Sequence, residues 1–218
     1  MYKHILFDLD MTILDTKELC IEAFHRAFVK TQEGHIDKKN LEFILSHPLK
    51  VSMLKLKIQR EKEFLEEWIE GLKKYYGKVH FFPGMKELLY RLKSEGYSVG
   101  MVTSRTREEA LFDLERFDMK QFFSSLICSD DVQRPKPHPE SLYKYMKETG
   151  GLSEELLFVG DTQSDADCAS SAGIDFALAG WGALNAGAIR GEFYRLSVPE
   201  DIYALVRGHI TKRKGRRL

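Results

Sequence analysis

No apolar run in this sequence approaches membrane-spanning length, which excludes an expected transmembrane helix. The first residues offer one Lys and a short apolar stretch ending in two aspartates, without the longer apolar core of a secretion signal. Cysteine is scarce: the chain holds 3, and Cys20, Cys128 and Cys168 stand far apart with no C-x-x-C pair. A disulfide framework is therefore not expected, and isolated thiols suit a reducing, cytoplasmic setting. Net charge is also lacking. Lys and Arg number 33 against 33 acidic residues, so no global field favours nucleic acid or a membrane surface. Internal repeats are absent, and the one biased stretch is basic. Arg207, Lys212, Arg213, Lys214, Arg216 and Arg217 crowd the last residues, leaving 27 of the 33 basic residues to face 33 acidic ones elsewhere. Residues 207–218 read as a mobile basic tail. No aromatic residues interleave its charges, so nucleic-acid contact is not the expected role.

What is present suits a globular chain. Its 218 residues allow one large domain or one domain with a smaller insert, and 43% apolar residues suffice for a core. His4-Ile5-Leu6-Phe7 is a short apolar run that predicts a buried strand ended by Asp8. Residues 16–79 then change character. Leu19, Ala23 and Ala27 recur at helical spacing, Phe24 and Phe28 widen that face, and Phe64, Trp68 and Leu72 share another. His47-Pro48 is the expected break between helices. This block predicts an all-helical insert, flanked by residues 1–15 and 80–218 as the main domain.

Beyond it, short apolar runs alternate with helical patterns. Strands are expected at Ser98–Thr103, Leu126–Cys128, Leu156–Val159 and Asp175–Ala179, with helices following them. Such alternation implies an α/β fold, a doubly wound parallel sheet of the Rossmann-like kind. In open parallel sheets, ligands bind beyond the carboxyl ends of the strands. Asp8, Asp10 and Thr12 follow the first strand, Thr103 and Ser104 the second, Lys136 comes after the third, and Asp161 and Asp165 follow the fourth. Four segments thus converge on one edge of the sheet. Four carboxylates in one cleft repel strongly. Lys136 offsets one charge and a divalent cation two more, and oxygen-only ligation suits magnesium. A bound phosphate would meet the metal, Lys136, the Thr103 hydroxyl and backbone N–H groups at Ser104 and near Leu9. Asp8 and Asp10, two residues apart, can divide the labour of nucleophile and proton donor.

The segments Asp8-Leu9-Asp10-Met11-Thr12, Thr103-Ser104, Lys136 and Gly160-Asp161-Thr162-Gln163-Ser164-Asp165 resemble the four motifs of the haloacid dehalogenase superfamily. The helical insert resembles the cap of its phosphoglycolate phosphatase-like and β-phosphoglucomutase-like branches. The resemblance spans nearly the whole chain. It implies a magnesium-dependent phosphatase acting on a small phosphorylated metabolite. Asp8 would carry the phosphoryl group and Asp10 would be the acid/base. Magnesium would be held by Asp8, the Asp10 carbonyl and Asp161. Asp165 would hold the metal's waters or orient Lys136, and Thr103 and Lys136 would bind phosphoryl oxygens. Other readings keep the same core: a phosphomutase of the β-phosphoglucomutase type, or a non-catalytic phosphate-binding relative. Met11 motivates the last, because the family usually has Gly there, and its side chain could crowd the mouth of the cleft.

Several residues carry blander expectations. Arg105 follows the phosphate-binding pair and could reach substrate, but solvent is its expected place, as it is for Arg134, His138 and Asp167. His47, Lys50, Lys55 and Arg60 read as a solvated helix face, the Phe64–Trp68–Leu72 stripe as packing, and Trp181 as a packing residue near the cleft end of the sheet.

Overall fold

The structure is a computed structural model that describes residues 1–46, 49–209 and 213–214. The expected break at His47-Pro48, the expected surface role of His47 and most of the basic tail lie outside the described residues. The chain separates into two compact units. One joins Met1–Leu14 to Phe81–Leu218, and the other is Asp15–His80.

The second unit is helical: α1 (Lys17–Thr31), α2 (Leu49–Lys55) and α3 (Glu61–Tyr75), with a 3-10 stretch over Lys38–Ser46. Leu19, Ala23, Phe24 and Ala27 form the buried face of α1. Phe24 packs edge-on against Phe64 at 4.9 Å and Trp68 at 5.9 Å, so the aromatic stripe of α3 is core of this unit. Lys55 lies over the Phe43 ring and Arg60 pairs with Glu63 on the surface. Among the described residues no helix is long and apolar enough to cross a membrane.

The first unit is built on a sheet whose strands we number β1 (His4–Phe7), β2 (Ser98–Val102), β3 (Ser125–Ile127), β4 (Leu156–Gly160), β5 (Asp175–Ala179), β6 (Glu192–Leu196) and β7 (Arg213–Lys214). Their order across the sheet is β3-β2-β1-β4-β5-β6-β7. The first six run parallel and β7 pairs antiparallel with β6. β1 and β4 are its central strands. They are buried along nearly their whole length, as expected of parallel strands covered on both faces. Chain order steps outward from β1 to β2 and β3, then returns to β4 on its other side, so the direction of winding reverses between β1 and β4. That reversal is where a doubly wound sheet opens a crevice. Phe158, Phe176 and Phe193 run across neighbouring strands, with ring centroids 6.2 and 5.7 Å apart, and knit β4, β5 and β6 into the core.

The apolar runs predict five strands, and β6 and the two-residue β7, which falls in the stretch read as a basic tail, are additions. Glu192-Phe193-Tyr194-Arg195-Leu196 buries only Phe193 and Leu196 and has no continuous apolar run to announce it. The helices of this unit are α4 (Met85–Ser94), α5 (Arg107–Arg116), α6 (Glu140–Thr149), α7 (Gln163–Ala172) and α8 (Asp201–Val206). Both α5 and α7 begin with a capping box. Thr106 accepts from the Glu109 N–H, and Thr162 does the same for Asp165, with each carboxylate reaching back to the cap.

Candidate active site

β1 ends at Phe7, and the Asp8 N–H continues the ladder by donating to the Val159 carbonyl at 2.9 Å. Asp8 is thereby fixed at the carboxyl edge, beside Asp161, which follows Gly160 at the end of β4. Gly160 has no room for a side chain: a Cβ there would stand 2.6 Å from the Asp165 carboxyl carbon. The glycine thus lets Asp165, from the first turn of α7, fold back over the strand end. Oxygens of Asp8, Asp161 and Asp165 come within 4.8 Å of one another, and all three residues are buried.

Lys136 binds this cluster together. Its Nζ donates to Asp8 Oδ1 at 2.8 Å, Asp165 Oδ1 at 2.7 Å and the Val102 carbonyl at 3.2 Å, with its side chain 3% exposed. Asp165 is held in turn by the Thr162 N–H at 3.0 Å and hydroxyl at 2.5 Å. Thr12 donates to Asp161 Oδ1 at 3.2 Å. Three buried carboxylates crowd round one ammonium, and Asp8 and Asp161 respond to it. Burial, helped by the nearby Asp165 and Asp10 charges and opposed by Lys136, pushes Asp8 up to about 7. Burial and then the Asp165 and Asp8 charges hold Asp161 well above the usual carboxylate range. For Lys136, burial works against the ammonium, but Asp165 and Asp8 outweigh it and hold the group charged. This excess of buried negative charge, offered entirely through oxygen, fits a hard divalent cation.

Asp10 is not part of that carboxylate group. Arg105 holds it, Nε donating to Oδ2 at 2.8 Å and Nη2 to Oδ1 at 2.7 Å. The expectation that Arg105 lies in solvent is overturned: its side chain is 21% exposed, and its Nη1 also lies 3.1 Å from Asp113 Oδ2 on α5. Sequence reasoning missed Asp113, which looks like one more acidic helix residue. Burial, and then the Asp10 charge, push its carboxyl up to about 7, opposed by the Arg116 charge.

Thr103 is buried and its hydroxyl accepts from the Arg105 N–H at 3.2 Å, whereas Ser104 is exposed. Arg134 and Asp167 are on the surface, paired with Glu140 and Gln163, while His138 is half-buried. Met11 adopts φ 56°, the left-handed conformation that favours glycine, at a cost of about 1–2 kcal/mol. The turn after Asp10 is therefore kept despite the side chain. That side chain is 5% exposed and counts among the core residues of this unit. Gly182 allows the close approach this turn needs, since a Cβ there would overlap the Met11 carbonyl. Trp181 ties the same turn from the other side, its indole N–H donating to the Thr12 carbonyl at 2.9 Å.

A Rossmann-like sheet with an aspartate cluster and a buried lysine at its switch point is the frame of a hydrolase with a carboxylate-lined centre. The chain belongs to the haloacid dehalogenase-like hydrolase family, whose pattern matches residues 5–179. It is 32% identical over 191 residues to the pyrophosphatase PpaX of Halalkalibacterium halodurans, covering 87% of this chain and 86% of that protein. It is 28% identical over 178 residues to the pyrophosphatase PpaX of Bacillus cereus strain AH820, covering 81% and 82% of the two chains. Its fold is that of a haloacid dehalogenase-like hydrolase from Streptococcus pneumoniae, with TM-score 0.81, 21% identity and coverage of 94% and 98%. It also matches a structure described as a predicted phosphoglycolate phosphatase from Haemophilus somnus, with TM-score 0.76, 22% identity and the same coverage. The chain is a phosphatase-type enzyme of this family.

Proposed function

We propose that this enzyme is a magnesium-dependent phosphatase that hydrolyses a small phosphorylated metabolite through a phosphoryl group carried on Asp8. The observation that carries the reading is the position of Lys136 Nζ, within 2.8 Å of both Asp8 and Asp165 beside the buried carboxyl of Asp161. In the first step an Asp8 oxygen forms a bond to phosphorus as the bond to the leaving oxygen breaks, and Asp10 gives that oxygen a proton. In the second step Asp10 takes a proton from water, the water oxygen bonds to phosphorus, and the Asp8–phosphorus link breaks to release phosphate. Lys136 and the Thr103 hydroxyl bind phosphoryl oxygens, Ser104 contributes its N–H, and Asp165 keeps Lys136 in place. Magnesium, held by Asp8, Asp161 and the Asp10 carbonyl, would neutralise charge on the phosphoryl oxygens.

The helical unit, Asp15–His80, is assigned as the cap that selects the substrate. The names of the relatives make pyrophosphate and phosphoglycolate the first compounds to try. A cytoplasmic setting accords with three free thiols, two of which, Cys128 and Cys168, burial pushes up to about 12. The purified protein should release phosphate from a metabolite panel only with magnesium. Isomerisation of a sugar phosphate without phosphate release would instead favour a phosphomutase, and binding without turnover a non-catalytic relative.

A further inference from the structure

Arg105 occupies an unusual place in the first unit. Its backbone is tied on both sides: the N–H donates to Thr103 Oγ1 at 3.2 Å, and the carbonyl accepts from the Ser129 N–H at 2.9 Å and hydroxyl at 3.1 Å. Its guanidinium then spans two carboxylates. One edge chelates both oxygens of Asp10, and the remaining nitrogen reaches Asp113 Oδ2. The two carboxylates differ in kind. Asp10 is 35% exposed at its side chain, and Asp113 is 1% exposed on the inner face of α5. Asp113 is thus the fixed anchor and Asp10 the partner that can leave.

The proposed reaction has Asp10 pass a proton to and from groups other than Arg105. Each of its oxygens accepts one N–H from Arg105, and this two-point grip aims the carboxylate at the guanidinium, so turning it toward a leaving oxygen loosens at least one of those bonds. Asp113 keeps the guanidinium in position when that happens. Two N–H donors in a rigid fork then stand next to the leaving group, and such a fork matches a carboxylate or a phosphate.

We propose that Arg105 is a specificity-determining residue that exchanges Asp10 for a second anionic group on the leaving part of the substrate. This rests on the reading of Asp10 as the acid/base. The enzyme then favours phosphoryl compounds whose leaving group is itself an anion, because that anion both fills the fork and frees Asp10.

Matched substrates test this. Phosphate release is measured with magnesium for 2-phosphoglycolate against its neutral amide, 2-phosphoglycolamide, and for inorganic pyrophosphate against phenyl phosphate. The expected wild-type preference for at least one anionic member is on the order of 10- to 100-fold in kcat/KM, the range of a charge-assisted pair. The pair in which it appears identifies the anion as a carboxylate or a phosphate. Arg105→Gln should lower kcat/KM for that anionic compound much more than for its neutral partner and collapse the ratio to within about threefold. Arg105→Lys, which keeps the charge but not the fork, should restore the ratio in part, and it carries the test if the Gln variant fails to fold. Asp113→Asn should shrink the ratio without abolishing it. Equal losses on both members of each pair, or no wild-type preference, overturn the proposal and leave Arg105 as a support for Asp10. A wild-type protein that releases no phosphate from any of the four overturns the phosphatase reading itself, and this proposal with it.

Discussion

Lys136 Nζ lies 2.8 Å from Asp8 Oδ1, with both side chains almost wholly removed from solvent. The pair joins a lysine that follows the third strand to an aspartate at the end of the first, 128 positions away in the chain. Removing one partner of such a pair strands the other. Lys136→Met should cost about 3–5 kcal/mol of stability in magnesium-free protein near neutral pH. The loss should shrink as pH falls. A carboxyl raised above its unfolded value binds a proton more readily when folded, so the penalty for its charge grows from the unfolded value near 4 up through the folded value and is relieved on acidification. Chemical denaturation of the variant at several pH values checks both the size and the sign.

Magnesium and protons should compete for the same oxygens. Asp8 is pushed up to about 7 and Asp161 is raised too, and a metal ligand must be deprotonated. Apparent magnesium affinity should therefore rise from about pH 6 to about pH 8, with protons released on binding. Calorimetry in buffers of different ionisation enthalpy measures the release. A pH-independent affinity would argue against carboxylate ligation.

Asp161 illustrates a trade between stability and function. It is buried among like charges with one hydroxyl donor, Thr12, at 3.2 Å. Asp161→Asn should raise the melting temperature of the magnesium-free protein at pH values above neutrality, where the charge is uncompensated. It should also abolish the stabilisation that magnesium gives the wild type. Thermal melts with and without magnesium test both halves.

Met11 sets two effects against each other. Glycine would relieve a left-handed backbone worth about 1–2 kcal/mol. It would also empty a buried methionine site, a change of the kind that costs about 2–5 kcal/mol. The loss of buried side chain outweighs the relief of the backbone, so Met11→Gly should lower stability by about 1–3 kcal/mol in urea unfolding, with the magnesium requirement unchanged.

Much of this was legible in the sequence because parallel strands announce themselves. His4–Phe7, Ser98–Val102 and Leu156–Gly160 are short apolar runs, and a polar residue directly after such a run falls at the sheet edge. Asp8, Thr103 and Asp161 were readable for that reason. Lys136 was readable from the charge it had to balance. The Arg105–Asp113 contact was not, since Asp113 lies within a helix and only the packing of α5 brings it to the loop residue Arg105. Strand β6 escaped because its alternating burial removes the apolar run. The left-handed Met11 could be suspected from its place between Asp10 and Thr12. The close approach of Gly182 to its carbonyl and the Trp181 bond to Thr12, some 170 residues away, could not.

The central claim is that Asp8 carries the phosphoryl group. Enzyme quenched with borohydride during turnover with magnesium should contain homoserine at position 8, the reduction product of an aspartyl-phosphate, and Asp8→Asn should show neither the product nor phosphate release. Homoserine at another position, or full turnover by Asp8→Asn, would contradict the account.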